Sequence, residues 1–335
     1  MSTVKRPPEA RNVESQLWLF DPGIDLTFAR EAVEDLMSAT QAENTKKAYA
    51  HSWSVFSSWC VDAGRDALPA NPETLRLFIG WCLREKAYRL ETVRTHLSGV
   101  KNYHLRRRFP SPVDDSVRAL IRSAARRLRE KRGGKAALTP ECLRKICEAM
   151  VQDGSAIAVR DRALLLLAFA GAFRRSELSG LQFRDIRIGR RGVEVLLWAT
   201  KTDQEGLGCP VGIAHGEREA TCPVRALRAW LRLRGEGDGP LFRRVYASGR
   251  VADDGGLSGE GVNEAVKRWL AVVGVDARDL SAHSCRIGFV TAAGDAGTSH
   301  LAIMRTTRHR NIKTVLRYLR PVEAFGAANP LAGVL

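Results

Sequence analysis

Apolar side chains recur at three- and four-residue spacing through most of the first 130 positions, which is the period of a helix face. Tyr49, Trp53, Phe56, Cys60 and Ala63 form one stripe, with Gly64 behind them as a C-terminal stop. Asn71 before Pro72 reads as an N-cap and a first-turn proline, opening a helix that buries Leu75, Phe78, Ile79 and Cys82. Val93, Leu97, Val100 and His104 mark a third stripe. Asp114 or Asp115 caps a fourth, with Val117, Leu120, Ile121, Ala124 and Leu128 facing inward. Ahead of these helices, residues 1–28 carry Pro7, Pro8, Pro22 and Gly23 and read as an irregular arm.

Helical periodicity breaks at Lys131–Ala137, a basic segment containing Gly133-Gly134, and restarts at Thr139-Pro140 as another cap and first-turn proline. The chain then reads as helical to about residue 182, with the apolar run Leu164–Phe173 suited to a buried helix. There the pattern changes. Val193–Thr200 and Pro210–Ile213 have strand character, the polar stretch Lys201–Gly208 separates them, and a small hairpin or meander follows. Helices resume at Pro223–Arg234 and Gly261–Val273, around a loop holding Gly235, Gly237, Gly239 and Pro240. A length of 335 residues is long for a single core. The expected organisation is an arm (1–28), a helical domain (29–130), a basic linker (131–137) and a second domain (138–335) with a tail (319–335). The fold class is mainly α with a small β-sheet in the second domain.

Charge narrows the partner. The chain carries 53 Lys and Arg against 37 Asp and Glu, a net charge of +16, which points to a polyanion. No apolar run approaches the ~20 residues of a spanning helix, and the N-terminus lacks the apolar segment of a signal peptide, so no membrane partner is expected. Seven cysteines without a CxxC pair read as reduced thiols in a cytoplasmic setting, with Cys142 and Cys147 facing the core. Arg118, Arg122, Arg126 and Arg129 stack on one face of the fourth helix, and Lys101–Lys135 holds 12 basic residues against three acidic ones. Such a face, with Lys101, Arg106, Arg107 and Lys131 around it, suits the phosphates of a nucleic acid better than a merely solvated surface.

The second half carries, in order, Arg174, Lys201, His283-x-x-Arg286, His309 and Tyr318. Breaking a phosphodiester needs an in-line nucleophile, cations on the non-bridging oxygens and a proton for the leaving oxygen. Tyr318 supplies a phenol that keeps the bond energy in a phosphotyrosine. Arg174 and Arg286 supply planar forks for phosphate oxygens. Glu177 falls three residues after Arg174, on the same helical face, and can orient it or a histidine. Ser281 caps the helix bearing His283 and Arg286, and Lys201 can be carried into a groove by its hairpin. Each piece has a bland reading: a surface ion pair, a common His-x-x-Arg, a solvated lysine, a packed tyrosine. The two histidines with Cys285 fit no standard zinc spacing, so no metal site is expected.

With these residues in this order, the chain resembles the phage-integrase family of tyrosine recombinases, which includes Cre and the Xer recombinases. Asn44–Arg129 is similar to the family's core-binding domain. Asp161–Ile186, Ala199–Gly208, Ser281–Gly288 and His309–Tyr318 are similar to its catalytic blocks. Ala172-Phe173 stands before Arg174 where Gly-Leu is commoner. The resemblance implies a two-domain, C-shaped clamp on double-stranded DNA with an inverted-repeat site. It implies a dimer on one site and a tetramer at synapsis, with strand exchange through a 3′-phosphotyrosine and a Holliday junction. No metal, ATP or other cofactor is implied, and the location is the cytoplasm, at the nucleoid. By the same analogy Arg174 and Arg286 bind the scissile phosphate, Lys201 is the general acid, and His283 is a proton acceptor or phosphate donor. His309 is a phosphate donor and Tyr318 the nucleophile. The segment after Tyr318 packs on its own domain or on a neighbouring protomer. A telomere resolvase or type IB topoisomerase-like enzyme, or a catalytically silent DNA-binding protein, are the alternatives.

Overall fold

A computed structural model describes residues 43–128, 136–198 and 208–319. The expected arm at 1–28, Arg129, Lys131, Lys201, residues 131–135 of the linker and the tail beyond Leu319 lie outside the described residues. The chain divides into two compact units between Arg132 and Gly133. Among the described residues no helix is long and apolar enough to cross a membrane.

The first unit holds α1 (Glu43–Asp62), α2 (Pro72–Arg84), α3 (Leu90–Arg106) and α4 (Asp115–Leu128). Asn71 Oδ1 accepts the Thr74 N–H at 2.8 Å, and Asp114 Oδ1 accepts the Val117 N–H at 2.9 Å, so Asp114 is the fourth helix's cap. The core is aromatic. Phe56 and Phe78 meet edge to face at 5.1 Å, and Trp59 and Trp81 extend the cluster. Two expected core positions are exposed, and Tyr49, Trp53, Leu120, Ile121 and Ala124 are half-buried. Ala63 follows the last residue of α1, and Leu128 is 44% exposed because the stripe of α4 outruns the cover of α2 and α3. His104 is fully buried and uses both ring nitrogens. Its Nδ1–H donates to the Val100 carbonyl at 2.8 Å and its Nε2 accepts the Ala70 N–H at 3.0 Å.

The second unit begins with α5 (Pro140–Asp153), α6 (Ala156–Ala170) and α7 (Arg175–Gly180). Strands β1 (Ile186–Ile188), β2 (Gly192–Leu197) and β3 (Cys209–Ala214) form an antiparallel meander in that order, with Val195 opposite both Ile186 and Val211. Val193, Val195 and Leu197 alternate into the core with Val211 and Ile213, the period-2 signal the sequence carries. Then come α8 (Pro223–Arg234), β4 (Arg243–Val245), β5 (Val251–Gly256), α9 (Gly259–Val272), α10 (Ala282–Asp295), α11 (His300–Thr307) and α12 (Ile312–Leu316). The β4–β5 hairpin was not expected, since its sequence Val-Ala-Asp-Asp-Gly-Gly shows no apolar alternation. Helix α6 is buried nearly all round, which is why its sequence is apolar on every face. Asp161 within it accepts from Arg160, from Arg268 at 2.9 Å and from the Trp269 indole at 2.9 Å, tying α6 to α9.

Candidate active site

The site forms where the end of α6, the start of α10 and the end of α11 converge. After Ala170 the chain turns through Gly171 and Ala172, the latter at φ 47°, a left-handed conformation that costs roughly 1–2 kcal/mol in a residue with a Cβ. Arg174 then leaves in extended conformation as the N-cap of α7. The expectation that Arg174 and Glu177 share a helix face is therefore corrected. Arg174 stands just outside the helix, and Glu177 reaches back to it from the third helical position. Glu177 Oε2 accepts the Arg174 backbone N–H at 2.8 Å while Oε1 takes its guanidinium. Glu177 does orient Arg174, by capping geometry.

Helix α10 starts at Ser281, whose N–H donates to Ser284 Oγ at 3.0 Å. His283 faces outward from the first turn and Arg286 faces inward. Gly288 lets this helix press against its neighbours, because a Cβ there would lie 2.0 Å from the Leu138 carbonyl oxygen. Arg286 is only 1% exposed. It donates to the Ala172 carbonyl at 2.7 Å, to the Thr307 carbonyl and to His309 Nε2 at 3.0 Å. An arginine can only donate, so His309 Nε2 accepts, and the ring proton sits on Nδ1, 2.7 Å from Thr307 Oγ1. The Thr307 hydroxyl in turn donates a hydrogen bond to the Ile303 carbonyl at 2.7 Å. One short chain of hydrogen bonds thus sets the tautomer of His309.

Tyr318 follows α12, whose cap Asn311 accepts the Lys313 N–H at 2.9 Å. The break between α11 and α12 removes the opposite-face problem that a continuous helix from His309 to Tyr318 would create. The Tyr318 ring packs on Val290, Ile303 and Val315 and lies 6.4 Å from the His283 ring at 71°. Partial loss of water around the ring, which still reaches the surface, then Arg286 and Arg174, hold the His283 pKa below the usual imidazole value. Burial, then the same arginines with His283 and Arg308, push His309 down to about 4. Both imidazoles are neutral near pH 7 and able to take a proton. Arg286 is pushed down to about 9, by burial first, and stays protonated there. A cavity of about 660 Å³ lies beside Arg174 and is also lined by Glu177, Arg184, Arg187 and Trp198.

Arg308 escaped the sequence reading. It sits one residue before His309 in left-handed conformation, is 8% exposed, and donates to Glu177 Oε2 at 3.0 Å. Nothing in a local pattern flags it, since Gly171, Ala172 and Glu177, which hold it in the site, lie more than 130 positions away. In the first unit, Lys101, Arg106, Arg107, Arg118, Arg122 and Arg126 are exposed. The Arg107 guanidinium lies over the Tyr103 ring at 4.9 Å, and that ring stacks on Trp53 at 3.6 Å. Arg118 is paired with Asp115 at 2.7 Å, so one arginine of the basic face already has an acidic partner.

Residues 125–324 match the model of the phage integrase family. An integrase/recombinase of Selenomonas ruminantium described as a XerD homologue is 33% identical over 293 residues, spanning 86% of this chain and 85% of that protein. The chain belongs to the phage integrase family and is a tyrosine recombinase. A tyrosine recombinase of Synechococcus elongatus is 26% identical to it over 305 residues, 86% of the chain and 88% of that protein. Among solved structures, the recombinase resembles the Tn1549 transposon integrase in complex with transposon right end DNA, with a TM-score of 0.58 and 16% identity over 87% of this chain and 93% of that one. It also resembles a lambda integrase dimer bound to a COC′ core site, with a TM-score of 0.55 and 13% identity over 91% and 84%. The shared fold is the mainly helical one with small antiparallel sheets.

Proposed function

We propose that the recombinase exchanges strands of double-stranded DNA at a specific site, with Tyr318 as nucleophile and the Arg174–Arg286 pair as the seat of the scissile phosphate. The observation that carries this reading is the Tyr318 ring set against a neutral His283 beside the buried Arg286. In the first step the Tyr318 phenolic oxygen attacks phosphorus in line and its proton passes to His283. The bond from phosphorus to the 5′ oxygen breaks, and Lys201 gives that oxygen a proton. A 3′-phosphotyrosine and a free 5′ hydroxyl result, so religation needs neither ATP nor a metal. His309 holds Arg286 through Nε2, and it becomes a phosphate donor only after taking up a proton there. Attack by the 5′ hydroxyl of a partner strand gives a Holliday junction, and a second round resolves it. An inverted-repeat site binds two copies and synapsis unites four, at the nucleoid in the cytoplasm. Lys101, Arg106, Arg107, Arg118, Arg122, Arg126, Arg129 and Lys131 bind flanking phosphates.

The test is covalent trapping on sheared DNA of the encoding organism, in EDTA and without ATP, quenched in SDS. Wild type is expected to yield adducts that converge on one inverted repeat, and Tyr318→Phe is expected to retain DNA and yield none. Adducts that persist in the Tyr318→Phe protein would sink the assignment.

A further inference from the structure

Of the four described residues outside glycine that adopt positive φ, two lie in the site, Ala172 and Arg308. They touch each other: Arg308 donates to the Ala172 carbonyl at 3.2 Å. A left-handed arginine costs roughly 1–2 kcal/mol in backbone energy, and such strain persists only where surrounding contacts over-determine it. Those contacts are many. The guanidinium donates to the carbonyls of Gly171 at 3.1 Å and Thr306 at 2.7 Å, and lies 5.2 Å from the centre of the Phe173 ring. It also shares Glu177 with Arg174, one guanidinium on each side of the carboxylate. Being buried, Arg308 cannot itself touch DNA. What it does, it does through Glu177 and through charge.

Charge decides what that is. Without Arg308, the Glu177 carboxylate would offset Arg174, and among the described residues of the site Arg286 alone would carry net charge. With it, three guanidiniums face one carboxylate beside two neutral imidazoles, a net charge of two among the described residues. A phosphodiester carries one negative charge, and the five-coordinate phosphorus formed by tyrosinate attack carries two. A doubly positive cluster therefore favours the transition state over the bound substrate, which is what accelerates a reaction.

We propose that Arg308 is a positioning residue of the cleavage step, fixing Glu177 so that Arg174 is held ready and adding a fixed positive charge that favours the doubly negative transition state. This rests on the assignment of the Arg174–Arg286 site to the scissile phosphate.

The experiment uses the duplex recovered from wild-type adducts, once with its natural linkage and once with a methylphosphonate at the scissile position, whose transition state carries one negative charge fewer. On the natural linkage, Arg308→Met should form adducts roughly 10²-fold more slowly or worse, with DNA affinity within about 3-fold of wild type. Arg308→Lys should recover part of the rate. On the methylphosphonate the gap between wild type and Arg308→Met should shrink to less than about 10-fold, because the missing charge is no longer needed. Arg308→Gly removes the backbone strain and should lose the same rate, which keeps the test decisive if Arg308→Met does not fold. Cleavage at the wild-type rate by Arg308→Gly or Arg308→Met overturns the proposal, and so does a rate loss equal on both linkages. If wild type forms no Tyr318-dependent adduct, the phosphate-site assignment itself has failed, a result distinct from any pattern among the Arg308 variants.

Discussion

His96 and His104 in the first unit and His283 and His309 in the second all have pKa values held below that of a free imidazole, and in all four loss of water around the ring is the first cause. Their company differs. His96 lies among aromatic rings, with His51 as the charge acting on it, and His104 spends both nitrogens on backbone groups. His283 and His309 are pressed by Arg286 and Arg174 as well. A depressed histidine thus marks a core as readily as a reactive site. The distinguishing sign is a surplus of cations around the imidazoles that no carboxylate among the described residues offsets.

The sharpest way to break that comparison is to remove a cation from one pair and the imidazole from the other. Arg286→Met removes the charge together with the fork that reaches Ala172, Thr307 and His309. Adduct formation should fall by about 10²–10³-fold, the range for losing one oriented donor at a developing anion. Rates within a few-fold of wild type would show the surplus of cations to be structural after all.

His104→Ala should leave adduct formation per folded molecule unchanged and cost roughly 2–3 kcal/mol of stability, from a cavity and an unpaired Ala70 N–H. Urea unfolding followed by the tryptophans of the first unit reads this directly. A His104→Ala protein of normal stability with impaired cleavage would collapse the distinction between core and site.

Much of this contrast was legible in the sequence. The stripe Val93, Leu97, Val100 and His104 placed His104 on a buried face, and the caps Asn71 and Thr139 fixed two helix starts, because those signals are local. The order of Arg174, His283, Arg286, His309 and Tyr318 is what the chemistry proposed for the site starts from. What stayed hidden depends on distant chain. Arg308 is defined by the carbonyls of Gly171 and Ala172 and by Glu177, and no period announces a contact across more than a hundred residues. The break before Arg174 was missed for a related reason. The apolar run Leu164–Phe173 reads as unbroken helix, and only packing of Phe173 into the core forces the turn at Ala172.

Acid sharpens the comparison further. An unfolded histidine takes up its proton near pH 6.5, and these four take theirs up only at lower pH when folded. Between those values the unfolded chain binds more protons, so stability should fall as pH drops below about 6.5. His104→Gln cannot titrate, so wild type should lose stability relative to it between pH 7 and pH 5.5 in urea midpoints. A constant difference would mean that His104 is not held neutral. Adduct formation should fall on acidification only below about pH 6.5, where His283, the proton acceptor, becomes protonated, because its pKa is held below the usual imidazole value.

The smallest expected effect lies on α4, where the basic residues are exposed and act through salt-screened attraction. Arg126→Ala should weaken DNA binding several-fold at low salt and reduce the slope of log affinity against log salt by about 1, with the cleavage rate of bound DNA unchanged. Arg118 offers an internal control. Its ion pair with Asp115 must be given up or shared before a phosphate can use it, and both groups are exposed, so the pair itself is worth ~0–1 kcal/mol. Arg118→Ala should therefore cost less affinity than Arg126→Ala, and Asp115→Ala should raise affinity slightly. Equal losses for the two arginines would mean that the face acts as a diffuse charge, with no arginine set on a particular phosphate. An unchanged salt slope for Arg126→Ala would remove α4 from the DNA interface altogether. Neither outcome would disturb the cation surplus around Arg286, which rests on burial and not on screened surface charge.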